Sequence, residues 1–477
     1  MTIDNSFDQP LGASPRFSVQ PAHKSGASTL RLITCVGNAL ILALLACSGD
    51  LFAQTWPTYR HDNRRSGVTE AELSFPLSTD WIWKSPQPPQ TAWTGPAKWD
   101  AYSGNEGLQS MRNFDPCFYV TVDDDSVYFG SSVDDAAHAL DVATGEERWT
   151  HFTGAAVRMP PTVSDGRIFF GSDDGTARCC DAKTGKLQWQ VFAAPKNRRI
   201  ASNRKIISLW PVRTGVIVDD GKAAFAASLV PWQPSLLWTV DASSGDEVFQ
   251  RSIKGVTLQG AMLASEKLFY VPQGRAAPLA FARSDGKPRG SIGEAGGVFC
   301  ILTEDEQLFA GPGSQKGKED EIRIGAIGSR KSIASFSGTN RILVESDVAW
   351  MSIEGKLKML NRSGYVDGQQ LMTKATEKGA DKKFNADELA GMKEQAKQQL
   401  DSSWKWEVEL PAPLEMVKAG ETLLIGLAGE VVALSAADGR EIWRSKVDGG
   451  AHGLAVANGR LFVSTDKGLI YAFEGAK

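Results

Sequence analysis

The chain has little of what most enzymes of its length display. Its 477 residues include five histidines, scattered without ligand spacing. No His-Glu-x-x-His, Gly-x-Ser-x-Gly or phosphate-binding loop occurs, so the residue patterns of zinc hydrolases, nucleophile-elbow hydrolases and nucleotide-binding loops are missing. Six cysteines include no Cys-x-x-Cys-His, which excludes an attached c-type haem. The formal charge is -4, without a block of like charge that reads as a tail, so no basic field invites nucleic acid. With 42% hydrophobic and 23% charged residues the chain is globular, and its length alone suggests two or three domains.

Long apolar runs are also scarce. The run from Leu32 to Cys47 follows Lys24 and Arg31 and is shorter than the roughly 20 residues a spanning helix needs. With Leu51-Phe52-Ala53 ahead of Gln54, residues 1–54 are expected to be a cleaved signal peptide, and the protein exported, periplasmic or outer-membrane-associated. Leu44-Leu45-Ala46-Cys47 resembles the lipobox of bacterial lipoproteins, which would make Cys47 a lipidation site and the lipid the sole link to a membrane.

What the sequence has in abundance is one phrase: a short apolar strand, an Asp-Gly turn, a second strand, then Ala-x-Thr-Gly-x-x-x-Trp. It stands at Phe169-Phe170-Gly171-Ser172-Asp173-Asp174-Gly175 with Asp181 to Trp189, and at Tyr128-Phe129-Gly130-Ser131 with Asp141 to Trp149. The spacing from Trp149 to Trp189 is 40 residues, the length of a four-stranded propeller blade. The expected fold is therefore all-β, an eight-bladed β-propeller over residues 55–477. Further units run to Phe249, through Lys267 to Lys287, from Val298 to about Gly338, from Arg341, and to Trp443. The last unit, with Leu469 to Phe473, lacks a fourth strand, and an open edge is a liability. Asp80-Trp81-Ile82-Trp83-Lys84 has the alternation to supply it, so both chain ends are expected to close one blade.

Residues 363–403 interrupt the sixth unit with a different period. Asn385, Glu388 three residues on, and Leu389, Met392, Ala396 and Leu400 predict a capped amphipathic helix on the rim or a partner-docking element. Cys117 and Cys300 are placed on first strands of opposite blades, beyond the roughly 7 Å a disulfide allows. Cys179-Cys180 falls on a third strand, as a buried pair.

The phrase resembles the pyrroloquinoline-quinone-type propeller repeat, and Trp56-Pro57-Thr58-Tyr59-Arg60-His61-Asp62 before Ser66-Gly67 looks like the leading segment of exported bacterial proteins of this class. The resemblance covers quinoprotein dehydrogenases and non-enzymatic members such as the propeller lipoprotein of the outer-membrane β-barrel assembly machinery. It implies either a non-catalytic binding or scaffold protein or a dehydrogenase using pyrroloquinoline quinone and calcium, with a vicinal disulfide at Cys179-Cys180. The acidic runs Asp123-Asp124-Asp125 and Asp173-Asp174 fall on turns, where turn chemistry explains them. Aligning the repeats puts Arg158 and Arg213 just before the innermost strands of adjacent blades, with Arg112, Asn113 and Asp115, Gln259 and His452 in corresponding loops. These seven are the candidate ligand site, suited to a small anionic ligand. An internal anion, Asp115 first by blade order, would make the arginine pair structural instead. The expected partner is that ligand or a protein.

Overall fold

The computed structural model describes residues 55–93, 114–274, 276–293, 296–297, 299–311, 321–328, 332–379 and 385–475. Residues 1–54, with Cys47, and Arg112 and Asn113 lie outside the described residues. Six four-stranded antiparallel sheets follow one another over residues 120–152, 162–192, 217–253, 263–291, 299–337 and 339–409. A seven-stranded sheet then holds the last repeat units together. In it Thr422–Ser435 folds back on itself, since the Ala436 amide donates to the Glu421 carbonyl at 2.9 Å. Glu441–Ala457 continues from its pairing with that element into its pairing with Arg460–Thr465. The chain is a β-propeller, and the eight blades counted in sequence correspond to six separate sheets and this shared one.

Leu77–Lys84 pairs antiparallel with Leu469–Gly475, Thr79 opposite Phe473 and Trp83 opposite Ile470, so both ends of the chain complete one sheet. Apolar clusters lie between neighbouring sheets. Tyr128, Ala137 and Ala139 of the first meet Ile168, Phe170 and Cys180 of the second.

The repeated phrase is a contact between units. Each phrase opens on an Asp turn: the Asp141 carboxylate accepts the Ala143 and Thr144 amides at 3.0 and 2.9 Å. The sequence reads the closing Trp as the end of its own blade, but the ring lies on the next. Trp149 Nε1 donates to the Ala182 carbonyl at 2.9 Å, Trp189 to Ala242 at 3.0 Å, and Trp81 to Val142 at 3.1 Å. The phrase glycine makes room. A Cβ on Gly185 would stand 2.6 Å from the Trp149 ring, and its φ of +67° also favours glycine.

Two insertions depart from the repeat. The single expected helix is a pair, α1 (Arg362–Gly379) and α2 (Ala386–Ser403). Asn385 caps α2 by accepting the Asp387 amide at 2.9 Å, and Gly368 of α1 lies against Leu400. The α1 segment carries two glycines besides its last residue, which hid it from a propensity reading. A two-stranded hairpin, Arg199–Ser202 with Lys205–Ser208, stands between the second and third sheets, and among the described residues the other units have no counterpart.

Candidate functional site

The leading segment crosses the middle of the ring. Trp56 bridges to Val122, Thr58 Oγ1 bonds Thr162 Oγ1, Asn63 donates to the Val218 carbonyl, and the Ala264 amide donates to the Asn63 carbonyl. The Leu302 amide bonds Arg64, Gly67 approaches Leu343, and Val68 pairs with Lys418. Those partners lie on the first strands of seven successive units, so residues 56–69 form an axial plug. Arg60, His61, Arg65 and Gly67 have positive φ, which coils the segment tightly. Arg60 is buried against Glu415 and also donates to the Met416 carbonyl at 3.2 Å. Arg65 Nη1 holds the plug to itself, donating to Thr58 Oγ1 at 2.8 Å and to the Tyr59 carbonyl at 3.0 Å.

Where the first strands begin, the structure brings together Asp115, Arg158 and Arg213. Arg158 Nε donates to Asp173 Oδ2 at 2.6 Å and its Nη1 to Asp115 Oδ2 at 2.6 Å. Arg213 grips the same Asp173 twice, at 2.6 and 2.8 Å. All four side chains are buried. Asp173 is thus more than a turn residue, and the anion between the two arginines is Asp173 first, with Asp115 at the outer edge. Burial pushes both carboxyls up. At Asp173 the Arg213 and Arg158 guanidiniums outweigh burial and hold it below the usual carboxylate range, whereas at Asp115 burial wins and its pKa is raised. The Ala92 amide also donates to Asp115, at 2.9 Å.

Gln259 adjoins the network, the Gly260 amide reaching the Arg213 carbonyl at 3.3 Å, and its Nε2 donates to the Leu229 carbonyl at 3.0 Å. Arg213 Nη1 and Gln259 Oε1 are buried without a hydrogen-bond partner. His452 stands apart, its Nε2 3.9 Å from Asp466 Oδ2, and burial lowers its pKa.

Among the described residues, none assemble the setting a quinone with calcium would need. Cys179 and Cys180 are free thiols whose side chains enter two different clusters, on opposite faces of their strand. Tyr59 from the plug packs with Ala92, Trp93, Phe114, Met159 and Ala261. Among the described residues no three His, Cys, Asp or Glu side chains gather as metal ligands. Cys117, expected on a first strand, lies just before Val120–Val122.

A family model described as outer membrane protein assembly factor BamB matches residues 90–219 and 393–477. The chain is a β-propeller, and the matched segments carry pyrroloquinoline-quinone-like repeats. The quinone alcohol dehydrogenase subunit of Gluconobacter oxydans is 30% identical over 107 residues, 19% of this chain and 14% of that protein. The match therefore spans about one seventh of that relative's length. Solved structures agree on the fold alone. A quinohemoprotein alcohol dehydrogenase from Pseudomonas putida HK5 superposes with TM-score 0.54 at 12% identity, covering 89% of this chain and 81% of that one. A europium-containing methanol dehydrogenase gives 0.56 at 10% identity, covering 88% and 98%.

Repeat alignment could find Arg158 and Arg213 because they occupy one position in two units. It could not find Asp173 as their partner, because both aspartates of the Ser-Asp-Asp-Gly turn are buried and ion-paired, Asp173 with Arg158 and Arg213 and Asp174 with Arg178, and the turn does not say which arginine goes to which.

Proposed function

We propose that this propeller is an exported, non-catalytic binding or scaffold protein, periplasmic or outer-membrane-associated, with a protein partner. The observation that carries this reading is the filled axis: the two arginines that would meet an anionic ligand are already held by Asp173 and Asp115. The match to a family described as an outer membrane protein assembly factor supports it. Purified protein mixed with calcium and pyrroloquinoline quinone is expected neither to acquire the quinone absorbance nor to reduce a dye with alcohols. Acquisition of both would replace this reading by that of a quinone-dependent dehydrogenase. Export is tested by intact mass, with a mature start near Gln54 or at a lipidated Cys47, and a full-length membrane-embedded chain would refute cleavage.

A further inference from the structure

The inserted hairpin is the one place where the -4 chain concentrates positive charge in a short stretch: Lys196, Arg198, Arg199, Arg204 and Lys205 lie within ten residues that hold no acid. Lys205 is paired with Asp135. Lys196, Arg198, Arg199 and Arg204 are exposed, and none of them makes a side-chain hydrogen bond or ion pair with the described residues. The hairpin stands on one end of the propeller. The Ser208 amide donates to the Asp173 carbonyl at 2.7 Å, Asn203 to Thr91 at 2.5 Å, and Lys205 meets the turn at Asp135.

Large exposed apolar side chains lie at the same end of the propeller. Trp232 is 77% exposed, Phe152 69%, Ile206 57% and Phe192 44%. Their placement at the same end follows from contacts. Thr153, next to Phe152, bonds the Asp135 carbonyl that the Lys205 side chain adjoins, and Ala193, next to Phe192, bonds Gly175 beside Ser208. The loop carrying Trp232 is tied to the hairpin's exit, because Trp210 Nε1 donates to the Pro234 carbonyl at 2.9 Å. The hairpin core, Ile207 with Ile200 and Leu209, is already packed on the neighbouring sheet, so stability does not require the outward apolar groups.

We propose that this end of the propeller docks on an anionic phospholipid surface, with the hairpin arginines at the headgroups and Trp232, Ile206, Phe152 and Phe192 entering the interface. Unpaired cations alone would suit any polyanion. Exposed indole, phenyl and isoleucine beside them favour a bilayer, whose headgroup layer takes charge and whose acyl boundary takes apolar rings. The inference does not depend on whether a quinone binds.

The test is sedimentation of the full chain with phosphatidylcholine vesicles containing or lacking phosphatidylglycerol. Phosphatidylcholine alone gives the contribution of any N-terminal apolar or lipid anchor. A partition that depends on phosphatidylglycerol and weakens with salt is expected. Arg198→Gln/Arg199→Gln/Arg204→Gln should weaken it by roughly 100-fold, since each cation near an anionic surface is worth about 1 kcal/mol. Trp232→Ser/Ile206→Ser should weaken it also at high salt, where charge contributes little. Arg204→Gln at the tip, with an unchanged melting temperature, guards against misfolding of the triple variant and should cost about fivefold. No phosphatidylglycerol dependence, or dependence that survives these variants, overturns the proposal. So does binding to soluble polyglutamate without vesicle binding, which would assign the cations to an acidic polypeptide.

Discussion

Trp149 shows at single-residue scale how the repeat works. Its ring rests on Gly185 of the following unit and its indole donates to Ala182, so each phrase is half of a joint completed by the next. Trp149→Phe loses the hydrogen bond together with part of the ring that covers Gly185, and should cost at least about 1 kcal/mol in urea unfolding. Gly185→Ala should cost about 1–3 kcal/mol, because it forces an L residue into positive φ against that ring. If Gly185→Ala unfolds with the parent midpoint, the packing described is wrong. Histidine supplies a second test. Burial lowers the pKa of His61, His151 and His452 below the ordinary 6.5. The unfolded chain therefore takes up protons first, and the stability these groups give is present above about pH 6.5 and lost as pH falls through their folded values. The urea midpoint should drop between about pH 7 and pH 5, and less so in His452→Gln. A midpoint that is flat or rises over that interval contradicts the burial of these rings.

Among the elements, the closing strand was legible in sequence and the plug was not. Trp81 and Trp83 sit in an alternating stretch with no unit of its own, and the last unit has a vacancy of matching kind, so pairing of Leu77–Lys84 with Leu469–Gly475 follows from counting strands. Removing residues 77–85 bares the edge of the C-terminal strand and should lower the melting temperature of the whole molecule, and an unchanged value would sink the closure. The plug carries neither helical nor strand periodicity. Its conformation comes from seven different strands, none near it in sequence, so only the resemblance of Trp56 to Asp62, with Ser66-Gly67, to a known leading segment marked it. The same limit hid the partner of Arg158 and Arg213, because alignment transfers a position and not a contact. Asp173→Asn leaves two buried guanidiniums short of a charge and should cost about 3–5 kcal/mol, with little effect from Asp174→Asn on the arginine pair. A small loss from Asp173→Asn would return Asp173 to the role of a turn residue, whereas Asp174→Asn reports on its own buried pair with Arg178.

On the scale of the whole molecule, the shared sheet distinguishes this ring from an open stack of repeats. An open stack frays at its terminal units, whereas here the units at the two ends are one. Amide exchange in Leu469–Gly475 should therefore be as slow as in Thr176–Asp181, and fast exchange there would show that the ring opens at its seam. The plug has a further consequence, in time. Residues 56–69 leave the ribosome before any of the seven strands that hold them, and no subset of those strands offers the full set of partners. A segment made before all of its partners is seated only after them, and until then its arginines, its Tyr59 and the open axis are exposed to whatever meets a nascent chain. Long-range closure of this kind is slow, and an unfinished ring presents free strand edges meanwhile. Seating of the whole of residues 56–69 thus marks completion: a chain that has made every one of these contacts has assembled the units from Val122 round to Lys418.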